Sequence, residues 1–241
     1  MDVEEHPDGH YGGFKVGFIR EKSFWAITVE TGKRGFFSNP DHVDTVNGDR
    51  HQMEILMSAK VNERVTIHRG RTFTLLKENL TLENGVTVDL EIIRHPGASA
   101  IVPLSGDNTV ILIKQYRHAI GDFIWEIPAG TLQENEAPLE CAKRELIEET
   151  GFSAGTWQKL GEITPVPGYA DERIHLFLAC ELEPAEQNLD KDEMIRVHEI
   201  GLEDAMEMIY QGTIQDGKTT AALFLAKHWL QQNQWTHPPK N

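Results

Sequence analysis

Residues 130–152 read GTLQENEAPLECAKRELIEETGF. Gly130 is followed after five residues by Glu136, and after seven more by Arg144-Glu145-Leu146-Ile147-Glu148-Glu149-Thr150-Gly151-Phe152. Proline suits the first turn of a helix and glycine the position just past its end, so Pro138 and Gly151 predict a helix over 138–150. On that helix positions 145, 148 and 149 stand in i, i+3, i+4 relation, and their carboxylates project from one face. At about 100° per residue, Leu139, Ala142 and Leu146 form an adjoining apolar face. Such a helix packs on a sheet while its acidic edge lines a cleft.

Three carboxylates crowded on one edge repel each other, and a cation offsets that repulsion. Hard divalent ions such as Mg²⁺, with Mn²⁺ as the alternative, take several carboxylate oxygens together with phosphate oxygens of a substrate. An ion held there bridges a pyrophosphate, neutralises its charge and helps activate water. An acidic helix face alone is common in an acidic protein; the complete spacing from Gly130 to Phe152 carries the reading.

Upstream the sequence alternates with period two. Arg64-Val65-Thr66-Ile67-His68 and Thr72-Phe73-Thr74-Leu75-Leu76 predict strands, and Leu80-Thr81-Leu82 and Val86-Thr87-Val88-Asp89-Leu90 flank the hairpin signal Asn84-Gly85. Residues 99–104 and 109–113 are uniformly apolar, as central strands are. Arg173 to Ala179 alternates again. Leu202 to Tyr210 and Lys218 to Gln232 read as helices. Many strands, few helices and no regular βαβ alternation predict an α+β fold. Residues 1–57 differ, with turn signals at Asn39-Pro40-Asp41 and Asn47-Gly48-Asp49. They are expected to be an N-terminal extension to a domain at 58–235, with a frayed tail at 236–241.

The chain has 241 residues, 39% hydrophobic and 25% charged, enough for one large domain, or one domain with a small appendage, with a sizeable core. A net charge of −15 argues against broad attraction to nucleic acid or an anionic membrane. No apolar run reaches the ~20 residues that span a bilayer, and the acidic start Met1-Asp2-Val3-Glu4-Glu5 has no secretory character. Cys141 and Cys180 have no metal-ligand spacing and read as buried thiols of a reducing compartment, so the protein is expected in the cytoplasm.

Residues 130–152 match the Nudix box without departure, and the chain is similar to the ADP-ribose pyrophosphatase branch of the Nudix hydrolases. Gln115-Tyr116-Arg117 and Trp125-Glu126-Ile127-Pro128-Ala129-Gly130 resemble that branch's approach to the box. Pro167-Gly168-Tyr169-Ala170-Asp171-Glu172 resembles its Pro-Gly signature, and Ile214-Gln215-Asp216-Gly217-Lys218-Thr219 the start of its C-terminal helix. The similarity covers roughly residues 62–232. It implies a mixed β-sheet sandwiched by helices, with an N-terminal β-rich dimerisation region. It further implies Mg²⁺-dependent cleavage of a nucleoside diphosphate sugar, foremost ADP-ribose to AMP and ribose 5-phosphate. GDP-mannose is the runner-up substrate; a non-catalytic ADP-ribose sensor is the rival from another class.

Residue by residue, the resemblance gives Glu145, Glu149 and the backbone carbonyl of Ala129 as metal ligands, with Glu148 as a further ligand or support. Arg144 orients the glutamates, and Arg117 contacts substrate phosphates, where a planar, permanently charged fork is useful. Glu126 and Glu172 lie near substrate or metal. The catalytic base falls in the acidic loop Asp190-Lys191-Asp192-Glu193; Glu193 occupies the matching place, with Asp190 and Asp192 as rivals. The branch commonly forms homodimers through strands before the box, and a long β-rich hairpin edge around Asn84-Gly85 would invite such pairing. Trp25 could then reach an adenine.

Residues 212–219 formally fit the phosphate-loop pattern G-x-x-x-x-G-K-[ST]. A working loop of that kind follows a buried strand, whereas residues 202–210 read as a helix, so the match is discounted. The 11 histidines show no clear metal-binding pair.

Overall fold

The computed structural model describes residues 16–21, 24–29 and 59–233. The chain falls into two compact units, Met1–Leu56 and Met57–Asn241. In the first, β1 (Val16–Glu21) and β2 (Phe24–Val29) form an antiparallel pair. The rest of the expected extension, and the tail at 236–241, lie outside the described residues.

The second unit opens with β3 (Lys60–Arg69), β4 (Thr74–Thr81) and β5 (Thr87–Arg94), an antiparallel sheet in that order. Gly85, at φ 82°, supplies the left-handed residue of the β4–β5 turn. Thr72–Leu76 and Leu80–Leu82, expected as separate strands, are bridged by a continuous β4. The sequence splits there at Glu78, which is buried yet faces Arg64 (2.6 Å) and Arg94 (3.3 Å). Burial pushes the Glu78 carboxyl up, but the two guanidinium groups outweigh it and hold it below the usual range.

The remainder runs β6 (Ala98–Pro103), β7 (Thr109–Arg117), β8 (Asp122–Glu126), β9 (Ala129–Thr131), α1 (Pro138–Thr150), β10 (Phe152–Ile163), β11 (Ile174–Pro184), β12 (Ile195–Gly201), α2 (Leu202–Tyr210) and α3 (Gly217–Gln232). One sheet has the order β10-β11-β6-β9, a second β12-β7-β8. β6 and β11 are parallel while their outer neighbours are antiparallel, so the sheet is mixed.

Side chains alternate across a strand, and both faces of β6 and β11 are apolar. Ala100, Val102, Leu176 and Leu178 pack with Leu202, Met206, Leu223 and Ala226 from α2 and α3. Ile101, Phe177 and Ala179 point the other way, onto Ala142 and Leu146 of α1. Helices thus cover both faces, as the α+β reading requires. Pro138 begins α1, and Gly151 ends it at φ 73°, donating its N–H to the Ile147 carbonyl. With Leu146 buried among strand side chains, the acidic edge of α1 has a fixed address.

Candidate active site

β9 brings the chain against the acidic edge of α1. Pairing of Ala129 with Ala100 and Gly130 with Ser99 sets the position of this segment. The Ala129 N–H donates to Glu149 Oε2 at 2.8 Å. Gly130 lies so close to Glu145 that a Cβ there would overlap the carboxylate. The leading glycine of the box is thus required by close approach, not by a left-handed turn.

Arg144 joins the loop before α1 to the helix. Its Nε and Nη2 donate to the two oxygens of Glu136 at 2.8 and 2.9 Å. Nη1 reaches Glu145 at 2.5 Å and Glu148 at 2.9 Å. The bond to Arg144 holds the Glu136 carboxyl well below its usual range, at about 2. Arg144 thus pairs with Glu136 and with two of the three glutamates on the acidic edge of α1.

The third, Glu149, is only 2% exposed. Burial, then the negative charges of Glu145 and Glu193, push its carboxyl well up, against the Ala129 N–H and Arg117. Glu145 is raised too, first by burial, with Glu148 and Glu193 adding to it against Arg144. Glu193 thus shares one electrostatic neighbourhood with Glu145 and Glu149. The link is physical: Gln187 Nε2 donates to the Glu149 backbone carbonyl at 2.6 Å, and the Asn188 N–H to that of Glu148 at 3.1 Å. These bonds tie the acidic loop to the last turn of α1. Glu193 accepts the Asp190 N–H at 2.8 Å, while Asp192 turns to the surface and pairs with Arg71 at 3.0 Å. Of the three rivals, Glu193 is the one whose charge reaches the box glutamates.

Arg117 and Glu126 were expected at the substrate. They face each other: Arg117 Nε and Nη2 donate to Glu126 Oε1 and Oε2 at 2.7 and 2.8 Å. Glu126 is 1% exposed, and Lys218 binds it from the other side. Arg117 also feels Glu149, which places it beside the acidic edge. Glu172 stands apart, 3.6 Å from His95, and no ion pair joins it to a box residue among the described residues. Sequence reasoning did not single out Gln187, and it took Asp216 and Lys218 as part of a helix start. Lys218 pairs with Glu126, 92 positions away, and only the fold shows that.

The chemistry of the donor set bears on which ion this edge could hold. Among the described residues, no three Asp, Glu, His or Cys side chains converge as a ready-made cage, and Arg144 draws Glu145 and Glu148 toward itself. The groups present nonetheless fit a hard divalent cation. They are all oxygen donors, and Glu149 is buried against like charge with one backbone N–H and a distant arginine to offset it. A cation would remove the penalty that raises Glu145 and Glu149.

Comparisons with known proteins point to one family. A family model described as the NUDIX domain matches residues 93–223. The ADP-ribose pyrophosphatase of Bacillus subtilis (strain 168) is 38% identical over 169 residues, spanning 69% of this chain and 91% of that protein. The GDP-mannose pyrophosphatase of Salmonella typhimurium (strain LT2) is 33% identical over 181 residues, 64% of this chain and 94% of that one. A solved structure described as an ADP compounds hydrolase superposes with a TM-score of 0.66 at 26% identity, over 75% of this chain and 98% of its own.

Proposed function

The chain belongs to the Nudix family, and from that premise we propose that it hydrolyses the pyrophosphate bond of nucleoside diphosphate sugars, with ADP-ribose as substrate and Mg²⁺ as metal. The observation that carries the reading is the charge of Glu193 acting on the buried Glu145 and Glu149, of which only Glu145 has an arginine in contact among the described residues, with Arg117 alongside. A bound divalent ion would neutralise the diphosphate and acidify water there.

Glu145, Glu149 and the Ala129 carbonyl are the groups to hold that ion, and Glu148 supports them through Arg144. The Glu193 carboxylate takes the proton from the attacking water. Water oxygen forms a bond to one phosphorus, and the bond from that phosphorus to the bridging oxygen breaks. With ADP-ribose the products are AMP and ribose 5-phosphate. Arg117 grips a phosphate with its remaining donor edge. Glu126, shut away from solvent, acts by aligning Arg117, not by touching substrate. Glu172, paired with His95, belongs at most to the rim.

The complete set of box glutamates favours an enzyme over a binding-only sensor. Purified protein with Mg²⁺, offered ADP-ribose, GDP-mannose and other nucleoside diphosphate derivatives, should release AMP fastest from ADP-ribose. Faster GMP release from GDP-mannose would replace the substrate; no release from any would return the chain to the sensor reading.

The sheet β3-β4-β5 supports a homodimer. Every residue of β3 is exposed, including Val61, Val65 and Ile67, and Leu90 of β5 is exposed as well. Apolar side chains exposed on such a sheet invite a second copy. Light scattering should give twice the single-chain mass of 27.3 kDa; the single-chain mass with full activity would refute it. No helix among the described residues is long and apolar enough to cross a membrane.

A further inference from the structure

The phosphate-loop look-alike at 212–219 holds a further set of largely buried charges. Its lysine is turned inward. Lys218 Nζ binds Glu126 Oε2 and lies 3.1 Å from Asp216 Oδ2, with its side chain 13% exposed. Asp216 caps α3: its Oδ2 accepts the Thr219 N–H at 2.9 Å and the Thr219 hydroxyl at 2.5 Å. Thr219 Oγ1 in turn accepts the Ile127 N–H at 2.9 Å. The start of α3 therefore grips the β8–β9 connection twice, at the Glu126 side chain and at the Ile127 backbone. Pro128 and Ala129 follow directly, and Ala129 is hydrogen-bonded to Glu149.

Glu126 in turn holds Arg117. Both guanidinium nitrogens that face Glu126 are used, which fixes the plane of the fork; Nη1 makes no hydrogen bond among the described residues, and the side chain is 40% exposed. A bidentate carboxylate fixes a guanidinium only if the carboxylate is itself fixed. Lys218 provides the third contact. It binds the oxygen that Arg117 Nη2 also uses, and so prevents rotation of the carboxylate about its last bond.

We propose that Lys218 is a positioning residue, which with Asp216 and Thr219 locks Glu126 so that the free edge of Arg117 faces the diphosphate. The lysine touches no substrate; its 13% exposure and two carboxylate partners leave it no phosphate to meet. The assignment rests on the hydrolase reading above, in which Arg117 contacts a phosphate. It also explains why a motif resembling a nucleotide-binding loop sits at a helix start in a fold that binds diphosphates elsewhere.

The test compares steady-state hydrolysis of ADP-ribose in Mg²⁺ by Lys218→Met, Lys218→Arg and Asp216→Asn, each with Arg117 present and with Arg117→Lys. Loss of a group that orients a first-contact residue typically costs 10–100-fold. Lys218→Met should raise KM by about tenfold at the low end of that range, with kcat little changed. Lys218→Arg, which keeps the charge, should recover most of it. Asp216→Asn, still a good cap, should raise KM less and in the same direction. In the Arg117→Lys background, where there is no fork to align, all three changes should be nearly silent. An equal effect in both backgrounds, or a fall in kcat at constant KM, would overturn the proposal. If Lys218→Met fails to fold, Asp216→Asn decides alone: an unchanged KM overturns it. A wild-type protein that hydrolyses no nucleoside diphosphate sugar would instead sink the hydrolase reading, and the two failures are distinguishable.

Discussion

The acidic edge of α1 and the start of α3 carry the same kinds of signal: a glycine, then charged residues at helical spacing. Their charges are settled differently. At 216–219 each charge has its partner within the protein, Lys218 with Glu126 and Asp216, and Thr219 with Asp216. Along α1, Arg144 serves Glu136, Glu145 and Glu148, while Glu149 and the loop residue Glu193 add negative charge with no cation in contact among the described residues. Burial first, and then this like charge, pushes the Glu145 and Glu149 carboxyls up, Glu149 far more. A motif whose charges are paired in the fold is structure; one left with excess charge of one sign asks for a ligand of the other.

Removing that excess is the hardest blow to the contrast. Glu149→Gln should lower turnover by roughly a thousandfold, the scale for losing a group that stabilises developing charge. Because the folded protein raises this carboxyl above its unfolded value, ionised Glu149 destabilises the fold at neutral pH. The Gln variant, whose carbonyl can still accept the Ala129 N–H, should therefore melt no lower than wild type without metal. Full activity, or a marked loss of melting temperature, would mean that Glu149 is structural. Gly130→Ala should approach the same loss, since the new methyl displaces the Glu145 carboxylate.

Next in size is the loop. Glu193→Gln should cut kcat by about a hundredfold or more with a small change in KM, as loss of a general base does. Asp192→Asn should change neither by more than about twofold, because its partner Arg71 is on the surface and exposed pairs contribute little. The reverse ranking would shift the base by one residue and separate the loop from the charge excess.

The paired part of α1 shows in acid stability. Glu136 has its carboxyl lowered from 4.5 to about 2 by Arg144. A lowered acid contributes stability that is fully present above pH 4.5 and is lost as pH falls through about 2. That shift corresponds to at most about 3 kcal/mol. Urea melts of wild type and Glu136→Gln should converge as pH falls across this window; parallel curves would show that the pair holds nothing together.

How far such features are legible in sequence depends on how far apart their partners lie. The helix 138–150, its apolar and acidic faces, the Asn84-Gly85 hairpin and the helix at 202–210 follow from local spacing. The 12-residue strand β10 does not: Gly155 and Gly161 interrupt its pattern, and its pairing with β11 shifts register between Lys159 and Gly161. β4 was divided because Glu78 looks solvent-facing until Arg64 and Arg94 are set beside it. At the site, the box was visible as a spacing, but which acid of the 190–193 loop joins it depends on hydrogen bonds from Gln187 and Asn188 to α1. Lys218 is the extreme case. Its meaning lies in Glu126, 92 residues earlier, and no local pattern reports that.

The smallest effect sharpens the comparison most cleanly, because it uses one substitution in both regions. Gly217 is the first residue of α3, and a Cβ built there meets nothing within 4 Å. Its φ is not in the left-handed region. In a true phosphate loop the glycine before the lysine lets the backbone cradle an anion, and alanine there would impair binding. Here alanine only restricts the unfolded chain and favours the helix, so Gly217→Ala should stabilise the protein by about 0.4–1 kcal/mol with hydrolysis unchanged. Gly130→Ala, in contrast, drives a methyl into a carboxylate that the site uses. Chemical denaturation and a rate assay on the two variants separate the regions directly. If Gly217→Ala lost activity without losing stability, the start of α3 would have an anion-binding role, and the inward pairing of Lys218 would not be its working state.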